Sequence, residues 1–246
     1  MDRAPASYGR AMLPAAAVVL AGGSGSRVGA AGNKVYLPVA GRSLLSWALA
    51  AFAAAPSVRR LVLVARSADL DLARDAAGRT GADVEIVPGG ATRHGSEWAA
   101  LCHLAPAIRA GELAVVAIHD GARPLASCRL IEDTVEAARV HRAAVPGVPL
   151  PDAAVVDHTL GVRAVSTVPA GRRLVRVQTP QAFQADLLLD AYERAERDGF
   201  TGTDTAACVE RYTGLRVHCL PGDPRNVKVT YRADLVLAER LLAQPS

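Results

Sequence analysis

Short apolar runs alternate with longer amphipathic stretches along most of the chain, and this alternation restricts the possible folds. The first run, Ala15–Ala21, is continuously apolar, as expected of a parallel strand that is covered on both faces. Further strands are predicted at 61–65, 84–87, 113–118 and 215–220, and helices at 43–55, 69–77, 96–109, 130–141 and 185–198, after 204 and from 233. This order predicts a three-layer α/β fold around a twisted, mostly parallel sheet.

The segment 143–178 interrupts this alternation. It is rich in proline and β-branched residues and has no long helical pattern, so it predicts antiparallel strands or an extended arm, with the arm at about 149–178. Because an exposed strand edge favours pairing with another chain, such an arm is expected to pack on a second subunit. The predicted organisation is a flexible leader at 1–14 and a single domain at 15–246.

Composition excludes several classes of protein. The formal net charge is only +4, and no cluster of basic and aromatic residues indicates nucleic-acid binding. The four cysteines form no C-x-x-C pair, the histidines lack metal-binding spacing, and no apolar run reaches the roughly 18 residues that a membrane span requires. We therefore expect a cytoplasmic protein with reduced thiols, no metal site built from its own side chains, and no membrane or nucleic-acid partner.

A glycine-rich loop directly follows the first apolar run, in the segment Ala21-Gly22-Gly23-Ser24-Gly25-Ser26-Arg27-Val28-Gly29. Glycines at this place let backbone N–H groups approach a phosphate closely. Val28 breaks the dinucleotide pattern G-x-G-x-x-G, and the loop lacks the Gly-Lys-Ser/Thr end of a P-loop. A tight turn without a ligand is the alternative, but Arg27 and Lys34 add two cations that suit a triphosphate.

Other polar motifs follow the later strands. The segment 88–96 contains Gly90, Arg93 and Ser96 and reads either as a ligand-binding turn or as an ordinary turn with Ser96 at a helix start. His119-Asp120-Gly121-Ala122-Arg123-Pro124 ends a buried strand, where open α/β sheets bind ligands. An Asp–Arg pair that only caps a loop is the alternative there. Asp204 is either a helix N-cap or an active-site residue.

Together these motifs resemble those of the sugar-phosphate nucleotidyltransferases. The segment 20–27, Lys34 and Leu37-Pro38-Val39-Ala40-Gly41 are most similar to the 2-C-methyl-D-erythritol 4-phosphate cytidylyltransferase family, although Asn33 stands where that family usually has proline. The segments 88–96, 119–124, Gln178-Thr179-Pro180-Gln181-Ala182-Phe183 and Asn226-Val227-Lys228-Val229-Thr230 resemble the family in the same order. The resemblance spans 15–242 and implies a Rossmann-like fold with a protruding β-arm used for dimerisation.

The resemblance also implies roles for individual residues. CTP and a polyol phosphate are the expected partners, with Mg²⁺ as cofactor, and 2-C-methyl-D-erythritol 4-phosphate is the expected acceptor. The implied catalytic cations are Arg27, Lys34 and Lys228, and the implied nucleotide-binding residues are Ala21, Gly22, Gly23, Gly25, Gly90, Arg93, Ser96 and Gly121. The implied acceptor-binding residues are Asp120, Arg123, Ala153 and Arg172, with Arg173 as the alternative to Arg172.

The arm departs from the family pattern. The family normally carries Asp-Thr-x-Lys there, whereas this chain has Asp152-Ala153-Ala154-Val155, without the threonine or the lysine. Another acceptor, such as ribitol 5-phosphate, is therefore an alternative. Two further hypotheses are a nicotinamide-dependent oxidoreductase, which Val28 disfavours, and an inactive binding or scaffold subunit that has kept a nucleotide pocket.

Overall fold

The computed structural model describes residues 14–23, 32–150, 155–157, 164–166, 173–202 and 204–244. Within them the strands are β1 (Ala15–Ala21), β2 (Pro38–Val39), β3 (Arg42–Ser43), β4 (Val58–Ala65), β5 (Val84–Pro88), β6 (Val115–Asp120), β7 (Ala143–Pro149), β8 (Val155–Asp157), β9 (Ala164–Ser166), β10 (Val175–Val177), β11 (Gln181–Gln184) and β12 (His218–Pro221). The helices are α1 (Leu44–Ala53), α2 (Leu70–Gly78), α3 (Arg93–Arg109), α4 (Cys128–His141), α5 (Ala185–Arg197), α6 (Thr205–Thr213) and α7 (Arg232–Leu242). Short 3-10 helices lie at Lys34–Tyr36 and Ser67–Asp69.

The main sheet has the strand order β10–β7–β11–β6–β1–β4–β5, and β12 also pairs with β7. Strand β1 lies between β4 and β6 and runs parallel to both, and β5 continues the parallel set beside β4. Strand β11 inserts antiparallel between β6 and β7, and β10 is antiparallel to β7. The mixed α/β architecture with a mostly parallel sheet, as predicted, is confirmed.

Helices cover both faces of this sheet because its central strands are apolar on both sides. Val18 and Leu20 of β1 point toward α3, α5 and α6, whose buried residues include Leu104, Leu188 and Cys208. The alternate residues of β1 pack against α1 and α2 near its C-terminal end and against α4 near its start. The core therefore has three layers, and small residues such as alanine let the helices approach the sheet closely. Side chains from Ala, Val and Leu dominate it, consistent with the 4% aromatic content.

Capping side chains explain where several helices begin. Ser43, Ser127 and Asp204 accept hydrogen bonds from the third residue after them, at the starts of α1, α4 and α6. For α3 the prediction was wrong by one turn. The helix begins at Arg93 rather than Ser96, because Thr92 caps it by accepting from the Gly95 N–H group at 2.9 Å.

The segment 143–178 contains antiparallel strands, which was one of the two structures predicted for it. Strands β8 and β9 form a separate two-stranded antiparallel sheet, paired from Val155 with Ser166 to Asp157 with Ala164. At the base of the segment, β7 and β10 pair antiparallel with Pro149 opposite Val175, and Leu150 N–H donates to Leu174 O at 2.9 Å. Dimerisation through this segment stays a prediction, and the leader up to residue 13 lies outside the described residues.

Candidate active site

The carboxyl ends of the central parallel strands meet at one edge of the sheet. Leu20 of β1 lies in register with Asp120 of β6, and Ala21 with Ala65 of β4. Each strand is followed by glycine-containing loops, Gly22–Gly23 after β1 and Gly121 after β6. Open α/β sheets bind ligands at this edge, because the loops that follow parallel strands converge there.

A cavity of about 320 Å³ opens at this edge. The sequence-predicted site residues that line it come from five separate stretches of the chain: Gly22, Gly23, Lys34, Gly90, Arg93, Ser96, Asp120, Gly121 and Lys228. Ala21 is buried at the end of β1 just behind them. Gly25, Arg27, Ala153 and Arg172 lie outside the described residues. The structure thus brings most of the predicted residues together, while their roles stay predictions.

Lys34 is held near the end of β1 by the residue before it. The Asn33 side-chain amide donates to Ala21 O at 2.5 Å and to Asp69 Oδ2 at 3.0 Å. Asp69 is held in turn by Arg66, whose guanidinium donates to both carboxylate oxygens at 2.6 and 2.8 Å. Asn33, which departs from the usual proline, therefore positions the short helix that begins with Lys34 through side-chain hydrogen bonds.

The turn between β5 and α3 brings backbone close to the cavity. A Cβ on Gly90 would lie 2.8 Å from the carbonyl carbon of Gly95, so a larger residue would push this turn away from the start of α3. The Ser96 hydroxyl donates to Thr92 O at 2.9 Å and lies in the first turn of the helix. This turn presents small residues to the cavity, which suits the close approach of a flat ring.

Asp120 is the centre of the charge distribution in the cavity. It is buried, Arg93 donates to its Oδ1 atom, and Lys228 Nζ donates to Oδ2 at 2.7 Å. Burial alone would raise the pKa of Asp120, but the charges of Arg93 and Lys228 hold it well below its usual range. The carboxylate therefore stays ionised and holds two cations from distant parts of the chain at one place.

Arg123, whose predicted role at the acceptor stays a prediction, is buried beside Asp120. It does not line the cavity; its Nη1 atom donates to Asn226 O at 2.8 Å, and its Nε atom lies 3.7 Å from Asp120 Oδ2. Asn226 also donates from Nδ2 to Thr179 O at 2.8 Å. Arg123 thus holds the segment that carries Lys228. The Val229 N–H group in the same segment donates to Ala122 O at 2.9 Å.

His119 stabilises the same region from within the core. Its Nε2 atom lies 3.1 Å from Arg123 O, and its Nδ1 atom lies 3.0 Å from the Thr179 hydroxyl. The same hydroxyl accepts from the Asp120 N–H group at 3.1 Å. Burial lowers the pKa of His119 to about 4, so the ring is neutral at pH 7 and can donate from one nitrogen while it accepts at the other.

Glu97 is a buried acid next to the cavity that the sequence motifs did not point to. It lies on α3, only 1% exposed, and Oε1 lies 2.9 Å from Arg93 Nε. The sequence feature that could have identified it is an acid four residues after Arg93, at a helix position where the neighbouring residues on that face are apolar. Asp204 is a helix N-cap, which was one of its two predicted roles. Its side chain accepts from the Ala207 N–H group at 2.7 Å.

Metal binding by protein side chains alone has no support in the described part of the chain. Within it, no group of three His, Cys, Asp or Glu side chains could hold an ion. Asp120 is the carboxylate on the cavity wall, and it already accepts from Arg93 and Lys228. None of the described helices has the length and apolar composition that a bilayer-spanning segment requires.

The two lysines of this site have a further significance in the sequence. The chain contains 28 lysine and arginine residues, and Lys34 and Lys228 are its only lysines. Both line the same cavity. An ammonium group is a compact point charge, whereas a guanidinium spreads its charge over a planar fork. Both lysines of a chain that otherwise uses arginine thus line the same cavity, together with Arg93, which indicates a need for compact cations at these two positions.

Comparison with known proteins identifies the family. Residues 15–244 match the family model described as IspD, 2-C-methyl-D-erythritol 4-phosphate cytidylyltransferase. Proteins of that name from Symbiobacterium thermophilum and Thermobifida fusca are 38% identical over 238 residues and 40% identical over 234 residues. These alignments cover 96% and 92% of this chain, and the same shares of the two relatives.

A solved structure gives the same result. The crystal structure of 4-diphosphocytidyl-2C-methyl-D-erythritol synthase from Anaerococcus prevotii superimposes with a TM-score of 0.81 at 28% identity, covering 96% of this chain and 100% of that one. Fold, motif order and sequence similarity agree along nearly the whole chain. This chain belongs to the 2-C-methyl-D-erythritol 4-phosphate cytidylyltransferase family.

Proposed function

We propose that this chain transfers the cytidylyl group of CTP to 2-C-methyl-D-erythritol 4-phosphate. The products are 4-diphosphocytidyl-2-C-methyl-D-erythritol and pyrophosphate, an intermediate and a by-product of isoprenoid precursor synthesis. Family membership supports the reaction. The structural observation that carries it is the convergence of Lys34 and Lys228, the only lysines of the chain, on one cavity lined by glycine-rich turns.

The reaction is an in-line displacement at phosphorus. A phosphate oxygen of the acceptor attacks the α-phosphorus of CTP, the bond from that phosphorus to the bridging oxygen breaks, and pyrophosphate leaves with the electron pair. The attacking phosphate is already ionised near pH 7, so no general base is required. Catalysis then depends on positioning the two substrates and on offsetting negative charge.

The cavity residues divide this work. Backbone N–H groups near Gly22 and Gly23 face the triphosphate, while Lys34 and Lys228 stabilise the charge that grows on the α-phosphoryl and leaving oxygens. Arg27 is proposed to add a third cation. Gly90, Arg93 and Ser96 hold the cytidine part, where the short turn before α3 leaves room for a pyrimidine.

Mg²⁺ is the proposed cofactor, and the donor set suits an ion carried by the nucleotide. Mg²⁺ is commonly held by one or two carboxylates together with substrate phosphates and water, and Asp120 on the cavity wall already accepts from Arg93 and Lys228, so the phosphates and water would supply most of the ligands. When bound, the ion would neutralise charge on the triphosphate oxygens. Lys34 and Lys228 supply the part of that neutralisation that belongs to the protein.

The acceptor half of the site and the assembly rest on the family resemblance. Asp120, Arg123, Ala153 and Arg172 are the proposed acceptor-binding residues, with Arg173 as the alternative to Arg172. A homodimer formed through the segment at about 149–178 and a cytoplasmic location are parts of the same proposal. The relatives described above are named for the methylerythritol acceptor, so the ribitol 5-phosphate alternative is not favoured.

Pyrophosphate release tests this function directly. The chain is incubated with CTP and Mg²⁺ and with either 2-C-methyl-D-erythritol 4-phosphate or ribitol 5-phosphate, and an NADH titration tests the oxidoreductase alternative. We expect turnover with the methylerythritol acceptor and no change in NADH fluorescence. Absence of pyrophosphate release with that acceptor would refute the proposed function.

Substitution of Lys34 tests the mechanism. Lys34→Ala removes one preorganised cation, so turnover should fall by a factor on the order of 10² or more. Lys34→Arg keeps the charge but not its compact shape, and should recover only part of the activity. Arg74→Ala is the matched control, because Arg74 forms an exposed ion pair with Asp71 away from the cavity. Normal turnover in Lys34→Ala would exclude a catalytic role for Lys34.

A further inference from the structure

Glu97 is a buried acid one layer behind the cavity, and the mechanism above does not use it. It lies on the face of α3 that packs against α5, beside the start of α6, and it is 1% exposed. A carboxylate at such a position is costly to bury unless its oxygens have partners. Its partners therefore indicate why the chain has an acid there.

Three groups from three helices surround the Glu97 carboxylate. The Tyr192 hydroxyl on α5 donates to Oε2, and the Thr205 hydroxyl at the start of α6 donates to Oε1 at 2.8 Å. Arg93 Nε lies 2.9 Å from the same Oε1 atom. The ring of Tyr192 is itself held by stacking on His94, with ring centroids 4.6 Å apart. Glu97 is therefore rigidly placed relative to the helix layer.

Arg93 connects this buried acid to the cavity. Its Nε atom forms an ion pair with Glu97 Oε1 at 2.9 Å without the geometry of a hydrogen bond, and its Nη1 atom donates to Oδ1 of Asp120. The other oxygen of Asp120 accepts from Lys228 Nζ at 2.7 Å. Oδ1 thus accepts from Arg93, whereas Oδ2 accepts from Lys228 and has Arg123 Nε 3.7 Å away. Lys228 has this oxygen free of Arg93 only while the Arg93 guanidinium keeps its present orientation.

A guanidinium that is released at Nε has a better alternative. Arginine prefers to grip a carboxylate through two parallel N–H donors, which would use both oxygens of Asp120. Lys228 would then compete with Arg93 for Oδ2 and would lose its position at the cavity wall. The contact at Nε is therefore what leaves one Asp120 oxygen for the lysine.

We propose that Glu97 is a positioning residue that acts through Arg93, keeping the guanidinium on one oxygen of Asp120 so that Lys228 occupies the other. The proposal rests on the proposed function, because its effect is felt by a nucleotide bound in the cavity. It also makes Tyr192 and Thr205 part of the device, since they hold the Glu97 carboxylate from the opposite side.

A double-mutant cycle tests this coupling. Glu97→Gln keeps the shape and the acceptor for Thr205 but removes the charge that faces Arg93. We expect a loss of about tenfold in kcat/KM for CTP in the intact Arg93 background. In an Arg93→Ala background the same change should have almost no further effect, because interacting residues are not additive. Full additivity of the two losses would overturn the proposal.

A matched control and a second variant guard against a simple folding defect. Glu85→Gln makes the same change in a pair with Arg60 at 2.5 Å on β4 and β5, away from the cavity, and should leave kcat/KM unchanged. Thr205→Val removes one hydrogen bond to Glu97, and should give a smaller loss that again vanishes without Arg93. If Glu97→Gln does not fold, an additive Thr205→Val cycle overturns the proposal by itself.

The outcomes separate this inference from the proposed function. A wild-type chain that releases no pyrophosphate from CTP and the methylerythritol acceptor contradicts the function. An active wild type in which Glu97→Gln loses thermal stability but keeps its kcat/KM contradicts the inference alone, because a purely structural acid would behave in that way.

Discussion

Asp120→Asn gives the most direct measure of the charge cluster at the cavity. The change keeps the size of the side chain and removes the negative charge that Arg93, Lys228 and Arg123 surround. The three cations then face one another without their common partner. We therefore expect both a less stable protein and a loss of the defined position of Lys228.

The size of the stability loss follows from burial. Removing one partner of a buried ion pair typically costs about 3–5 kcal/mol, because the remaining charge stays desolvated. The Lys228 side chain is 41% exposed, so its share is screened by water, and the Arg93 and Arg123 contacts dominate. We take the lower end, about 3 kcal/mol, which for a domain of this size lowers Tm by about 6–12 °C.

The loss should depend on pH in a defined way. The pKa of Asp120 in the folded protein lies well below its usual range, so its stabilising contribution is complete above the unfolded pKa of about 4. The difference between wild type and Asp120→Asn should therefore be constant from pH 8 to about 5. It should narrow as pH falls below about 4, where the unfolded wild type gains a proton that the folded form does not.

Urea denaturation at several pH values measures this difference. Asp71→Asn is the matched control, since Asp71 forms an exposed ion pair with Arg74 and should change the free energy of unfolding by less than about 0.5 kcal/mol. An Asp120→Asn protein as stable as this control at pH 7 would show that the cluster contributes no net stability, and the reasoning above would be wrong.

Two further predictions concern residues around the cavity, one on packing at Gly121 and one on the pH dependence caused by His119. A Cβ at Gly121 would lie 2.9 Å from Leu20 O and 3.0 Å from Leu45 Cδ1, so Gly121→Ala should lower the free energy of unfolding by about 1–3 kcal/mol. Gly22→Ala, whose Cβ would meet only Ser96 Oγ at 3.7 Å, should change it far less in the same melts, and equal losses would contradict this account. The pKa of His119 is about 4 in the folded protein and about 6.5 in the unfolded chain. Between these pH values the unfolded chain binds one extra proton, so the free energy of unfolding decreases as the pH is lowered, by up to about 1.4 kcal/mol per pH unit. His119→Asn should remove that slope in denaturation series, and an unchanged slope would assign it to another group.

The sequence predicted the sheet well because its signal is local. Continuous apolar runs such as Ala15–Ala21 and the 3.6-residue pattern of α5 are visible in any window of the chain. The start of α3 was missed because Thr92 and Ser96 are both good N-caps, and only the tertiary position of the turn decides between them. The antiparallel insertion of β11 between β6 and β7 is likewise a long-range pairing without a local signal.

The site was predictable to a similar degree, for a related reason. The motifs that follow strands pointed to Lys34 and Asp120, and the family resemblance implied Lys228. The structure brings all three to the same cavity. Glu97 was missed because its importance lies in contacts with Tyr192 and Thr205, which are far away in the sequence. The hydrogen bond from Arg123 to Asn226 O was likewise not predictable, because it joins positions more than 100 residues apart.

The pairing of β7 with β10 has a consequence for how such enzymes can diversify. Pro149 and Val175 are paired in the sheet, so the segment between them begins and ends at neighbouring positions of adjacent strands. Lengthening that segment lowers the free energy of unfolding only slightly, because each doubling of the length of a loop adds only about 0.6 kcal/mol to the entropic cost of closing it. Sequence changes in that segment can therefore accumulate while the strand ends that carry the cavity residues, which belong to β1, β5 and β6, keep their geometry.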